Sequence, residues 1–274
     1  MRRHPLRTFA YYSASVLRAV AVVTIAVVGI LLKADAGDFV PLDKWVQAIQ
    51  HQAWWIVLAS AGVSFGGGQV RKALGPPWVW ASVESVLERF HTVAFPGEAL
   101  SHEYRVTLFK HKRFVWWVWP WRSRVWPWGL GRAPWSGWLV PVARSGHTTR
   151  STNVLFLAPD DALNAEGVAG QTWALWKRIL VKDLPDLSAD ASDANVKDYA
   201  SRARVPEWWL RYRIRKRKVC PCCLCGIPVE VNRGKWGVII LDGKAPAPIP
   251  EEGHFYKAYL DLIPFFLDQI LRKV

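Results

Sequence analysis

AVAVVTIAVVGILL, residues 19–32, runs without a charged side chain, and its reading decides how the whole chain is laid out. As a helix rising about 1.5 Å per residue it reaches roughly 21 Å, short of the roughly 30 Å hydrocarbon layer of a bilayer. Extension back to Tyr11 completes a span, provided Arg18 snorkels to the interface or faces another helix. A second apolar stretch, AWWIVLASAGVSF at residues 53–65, follows a short polar loop and can borrow residues 46–52 or 66–70. Its Trp54 and Trp55 suit the aromatic belt at a membrane interface. A cleaved signal peptide fits less well, because the apolar run starts late, the cleavage pattern is weak and a second stretch follows. The expectation is a two-helix transmembrane hairpin over residues 1–75 and a soluble domain over residues 76–274.

Charge sets the expected orientation. Arg2, Arg3 and Arg7 precede the first stretch, and Arg71 and Lys72 follow the second. The loop between them carries Lys33 and Lys44 beside Asp35, Asp38 and Asp43. The positive-inside rule then puts both termini in the cytoplasm of a multi-pass inner-membrane protein. In a reducing compartment Cys220, Cys222, Cys223 and Cys225 are not expected to form structural disulfides. The formal net charge of +14 suits an anionic leaflet, where clustered cations gain roughly 1 kcal/mol each. The clusters are KHKR at 110–113 and RYRIRKRK at 211–218. No helix-turn-helix, finger spacing or stacking motif accompanies them, so nucleic acid is not an expected partner.

In the soluble part, Gly66–Gly68 and Gly75-Pro76-Pro77 punctuate the exit from the membrane. Val79, Val83, Val86, Leu87 and Phe90 then recur at helical steps. YRVTLF (104–109), WLVPVA (138–143) and NVLFL (153–157) alternate like strands. A short helix starts near Glu166, a strand covers 179–181, and a helix covers 190–204. Strands at 227–231 and 236–241 flank the turn signal Asn232-Arg233-Gly234. A last helix lines up Phe255, Tyr259, Leu262, Phe266 and Ile270, with a kink or late start at Pro264. This order predicts an α+β domain with helices packed on one antiparallel sheet.

Three segments carry a family resemblance. They are VARSG (142–146), EGVAGQTW (166–173) with ILVKDLP (179–185), and GIPV (226–229) with WGVIILD (236–242). In that order and spacing they resemble the GAF domain family, over residues 82–274. The resemblance implies a GAF-like antiparallel sheet with flanking helices and a pocket between sheet and intermediate helices. Arg144, Gly167, Gly170, Trp173, Asp183 and Asn195 are the ligand-binding candidates it implies. From the residues alone, Gly167 and Gly170 permit either close helix–sheet packing or an anion at the helix start. Asp183 and Asp242 end strands, where a carboxylate caps a turn; neither reads as a catalytic acid or base.

Two features depart from that family. Residues 112–138 form a long insertion whose Val115–Trp138 part holds Trp116, Trp117, Trp119, Trp121, Trp126, Trp128, Trp135 and Trp138, with Arg122, Arg124 and Arg132. Membrane surface, protein contact and core are the three readings, the first favoured. The second departure is CPCCLC, 220–225. Four cysteines in six residues sit too close for one tetrahedral site; a structural role leads, with redox chemistry, lipidation and metal behind it. Cys225 reads as a small buried strand residue, while the preceding RIRKRK favours thiolate character in the cluster.

Phosphate-loop, HExxH and GxSxG motifs do not occur. The expected function is a non-enzymatic, membrane-anchored sensor that binds a small ligand or partner, with no particular cofactor or catalytic residue indicated and no metal expected. Expected partners are the bilayer, a small molecule, and either further copies of the chain or a separate output protein. The rival expectation is a two-span membrane effector of a bacterial antiviral system, triggered through the same domain, with Arg18 as its motive.

Overall fold

The computed structural model describes residues 3–33, 43–95, 104–115, 133–145, 154–187, 191–218, 220–243 and 254–272. The chain divides into two compact units, Met1–Trp80 with Lys273–Val274, and Ala81–Arg272.

The first unit is built on α1 (Arg3–Leu31) and α2 (Asp43–Leu74), packed antiparallel. The end of α1 meets the start of α2, where the Leu31 carbonyl accepts from Gln50 Nε2 at 2.8 Å. At the other end Arg71 Nη2 donates to the Tyr11 hydroxyl at 3.2 Å, its guanidinium 5.1 Å from that ring's centre. Small residues form the seam: Ala14, Ala21 and Ala53 are buried. Gly67 belongs to it, because a Cβ there would stand 3.0 Å from the Ala14 carbonyl oxygen. This corrects one expectation: Gly66–Gly68 do not punctuate an exit but lie inside α2, where close helix approach at Gly67 offsets its poor helix propensity.

The hairpin is present, but one helix among the described residues, Thr8–Leu31, is long and apolar enough to cross a membrane. The expected second span fails that test although α2 runs for 32 residues. Its first half carries Gln47, Gln50, His51 and Gln52, and its second half carries Ser60, Ser64 and the three glycines. Charge is not what excludes it; diluted hydropathy is. On α1, Val16, Val20, Val23, Val27 and Ile30 are all exposed.

After α3 (Pro77–Ala94), which buries Val83, Leu87 and Phe90 on one stripe, come β1 (Tyr104–Lys112), β2 (Trp138–Ser145) and β3 (Phe156–Leu157). Then follow α4 (Gly167–Leu175), β4 (Ile179–Val181), α5 (Asp193–Ala203) and α6 (Glu207–Arg215). β5 (Cys223–Val231), β6 (Gly234–Gly243) and α7 (His254–Leu271) complete the second unit. The six strands form one antiparallel sheet in the order β3-β2-β1-β6-β5-β4, so the α+β expectation holds. Between β5 and β6 the turn signal is real: Asn232 and Arg233 both have positive φ, 54° and 60°, the two-residue turn whose twist matches a hairpin. Ser192 caps α5, its Oγ accepting from Asn195 N at 3.2 Å.

Register assigns the two faces of the sheet. Cys225, Leu241 and Val106 stand in one row, and Ile227, Ile239 and Leu108 in the next, all buried. α7 packs against β5 with Ile263, Leu267 and Leu271 buried. The expected α7 stripe is therefore one residue out of phase: Leu262 and Phe266 are exposed, and the helix starts at His254, not at Pro264. Phe255 and Tyr259 lie outside the residues whose side chains are described. The other face carries Arg105, Thr107, Phe109, Arg144, Ile240 and Asp242. α4 covers part of it through Val168, Ala169 and Trp173, against Phe109, Val238 and Ile240. α5 and α6 form a neighbouring cluster with Val196, Tyr199 and Leu210, and Leu224 touches both clusters.

The Trp-rich insertion closes on itself at its base. Val115 N donates to the Pro134 carbonyl at 2.9 Å, and Trp138 Nε1 donates to the Ala133 carbonyl at 3.0 Å. Trp138 is core, packed with Val115 and Leu157, whereas Trp135 is exposed. Trp116, Trp117, Trp119, Trp121, Trp126 and Trp128, with Arg122, Arg124 and Arg132, lie outside the described residues.

Candidate functional site

Alternation along β1 puts Arg105 and Thr107 on the helix-covered face, and the register sets Thr107 opposite Arg144 of β2 and Arg105 opposite Asp242 of β6. Arg105 and Arg144 are thus diagonal neighbours on one face, within reach for long side chains. Arg105 closes an ion pair with Asp242, both side chains only 13% exposed. Arg144 is half-buried, and its Nε, like that of Arg105, is buried with no hydrogen-bond partner among the described residues. Burial holds the Arg144 guanidinium below its ordinary range; Asp242 opposes this, while Arg105 and Arg213 reinforce it.

Arg213 comes from α6, its guanidinium 4.9 Å from the centre of the Trp209 ring. Tyr199 of α5 donates its hydroxyl to the Pro221 carbonyl at 2.8 Å. Burial raises its pKa well above the usual tyrosine range, with Cys220 adding to the effect and Arg213 opposing it. Three guanidiniums thus share one field on a covered face, where Asp242 pairs with Arg105 and acts on Arg144, and Asp186 lies near Cys220 with Arg213 and Arg105. Guanidinium forks match the paired oxygens of a carboxylate or oxyanion, and buried N–H donors left unsatisfied are costly.

The six residues proposed from the sequence separate. Arg144 belongs to this cluster. Gly167 and Gly170 are both buried in α4, in close contact with their neighbours. Gly167 has φ +66° beside the Phe156 ring, with its N–H on the Arg204 carbonyl at 2.7 Å. A Cβ on Gly170 would stand 2.6 Å from the Leu157 carbonyl oxygen. Trp173 stacks on His111 at 3.9 Å and 12°, with Lys235 5.7 Å from its ring centre. Its Nε1 is buried with no partner among the described residues. His111 and Arg105 are six positions apart on β1, about 20 Å, so Trp173 sits at the far end of the face. Asp183 and Asn195 are exposed: Asp183 has φ 51° and gives its carbonyl to Arg202, and Asn195 is in the first turn of α5.

All four cysteines are buried free thiols. Burial pushes Cys220 and Cys225 up and Cys223 to about 11, and it outweighs the neighbouring cations. The expected thiolate character is therefore corrected, since desolvation exceeds the pull of Arg213 on Cys220 and of Lys182 on Cys223. Cys225 is the fully buried strand residue its position suggested. No metal-holding group of three or more His, Cys, Asp or Glu occurs among the described residues.

No family model matches the chain, and no curated protein does. Among solved structures, it is similar to an NreA protein of Staphylococcus aureus mutated in its nitrate-binding site, at TM-score 0.35 and 11% identity, over 64% of this chain and 91% of that one. A free methionine-R-sulfoxide reductase of Neisseria meningitidis, in complex with its substrate, gives TM-score 0.35 and 17% identity, over 71% and 87%. A hypothetical protein of S. aureus gives TM-score 0.30 and 11% identity, over 62% and 99%. Likeness of this order defines neither family nor ligand.

Proposed function

We propose that the chain is a membrane-anchored, non-enzymatic sensor whose second unit is a GAF-like domain that binds a small anion. α1 is the anchor, and the ligand sits between the sheet and α5–α6. The observation that carries the reading is Arg105 beside Arg144 on a covered sheet face, both with buried Nε atoms, and Asp242 paired with Arg105 on the side away from Arg144. A carboxylate or oxyanion would occupy the donors that Asp242 leaves over and offset the mutual repulsion of the cations. The GAF reading draws on EGVAGQTW and WGVIILD, which fall on α4 and β6. The absence of catalysis draws on the thiols, which burial makes poor nucleophiles. The two-span effector has less behind it, because α2 is too polar by composition, although Arg18 is exposed on α1.

Native mass spectrometry of the full chain, released gently from detergent, tests the reading. The expected result is a retained small acidic species that is lost when Arg105 and Arg144 are both changed to Gln. Equal retention of the same species by the double variant places the ligand elsewhere.

A further inference from the structure

The sequence RYRIRKRK reads as a charge run, but its first five residues, Arg211–Arg215, form the last part of α6, and the helix sorts them. Leu210 is fully buried, with Trp209 and Ile214 packed on the same cluster. The opposite face steps through Trp208, Arg211, Tyr212 and Arg215, which are neighbours at helical spacing. Trp208 is 57% exposed and Tyr212 45%. Lys216, Arg217 and Lys218 continue the exposed cations past the helix end. Two exposed cations thus share a face with two exposed aromatic rings and three more follow at the helix end, while Asp193 and Glu207 pair with Arg211 at 2.8 and 3.8 Å.

We propose that this face of α6 docks on the anionic surface of a bilayer. Its composition fits: indole and phenol rings settle at headgroup level, while Arg and Lys meet lipid phosphates and acidic headgroups. Each cation near such a surface adds a modest increment, and the four beside the ion-paired Arg211 act together. The occupant is chosen by the chain itself, a choice that rests on the reading of α1 as a membrane span. A tethered domain meets the lipid surface at a high effective concentration, so weak individual contacts suffice. Basic and aromatic residues also suit single-stranded nucleic acid, which has no such tether here.

Hydroxyl-radical footprinting of the full chain in lipid nanodiscs reads the surface directly through oxidation of Trp208 and Tyr212. Discs of zwitterionic lipid alone are compared with discs containing about a third anionic lipid, at low salt. The expected result is an about threefold drop in oxidation of both residues in the anionic discs, reversed by high salt and absent in the Arg215→Glu/Arg217→Glu variant. Equal oxidation in the two discs overturns the proposal. So does protection by single-stranded RNA with none from anionic lipid, which assigns the face to nucleic acid. If the chain does not enter discs at all, the reading of α1 fails separately, and the same footprint with added anionic vesicles still decides the α6 face.

Discussion

A guanidinium turned onto the covered face of a sheet brings five N–H donors and a charge out of water, and Asp242 serves Arg105 alone by direct contact. Arg144→Met is therefore expected to leave stability unchanged or slightly raised, because a cation held against two others is replaced by an apolar side chain of similar length. Asp242→Asn should cost about 3 kcal/mol, since it leaves the largely buried Arg105 unpaired. Chemical denaturation of the two variants checks both directions. The cysteines supply a pH test. The folded pKa values of Cys220, Cys223 and Cys225 lie above the unfolded ones, so their contribution is fully present below the unfolded thiol pKa and fades as pH rises, for Cys223 toward about 11. Stability should fall through that alkaline window, and less so in a Cys223→Ala variant. A pH series of unfolding midpoints reads this. Arg144 drew notice in the sequence because it lies in VARSG, one of the segments that resemble the GAF family. Arg105 and Asp242 were visible as residues, but their meeting depends on strand register, which alternation alone does not set.

At the scale of elements, most strands and helices announce themselves through alternation or helical steps, and the exceptions have causes. α6 was hidden because a run of cations masks the single buried position, Leu210, that anchors it. The stripe on α7 was misphased because LIPFFL at 262–267 is apolar on every side, so periodicity cannot choose a face. Packing chose Ile263, Leu267 and Leu271. Gly170 was readable as a packing residue first and a ligand residue second, and its backbone is in close contact with Leu157 and Ala165. Gly170→Ala would press a methyl group to 2.6 Å from the Leu157 carbonyl oxygen and should destabilise the second unit by about 1–3 kcal/mol. Circular dichroism melting of the variant checks this, and a midpoint equal to the parent's would mean that α4 has room to slide.

For the whole molecule, the apolar N-terminal region was legible as a helical hairpin, but its two helices proved unequal. α1 exposes its valines and isoleucines, whereas α2 is interrupted by glutamines and glycines. Full-length protein should stay with membranes after alkaline carbonate extraction, and a form lacking residues 1–33 should be released. Retention of the shortened form would move the anchor to α2 or to the second unit.

The proposed function has Arg144 helping to hold a small anion in the second unit. Its most direct test is the thermal unfolding of the full chain in nonionic detergent, with chloride replaced at constant ionic strength by nitrate, sulfate, phosphate or small carboxylates. Binding to the folded state raises the midpoint, so at least one of these anions should lift the parent by about 3 °C or more and leave Arg144→Met unmoved. If the parent and the variant follow every anion in parallel, the arginine cluster is not an anion site.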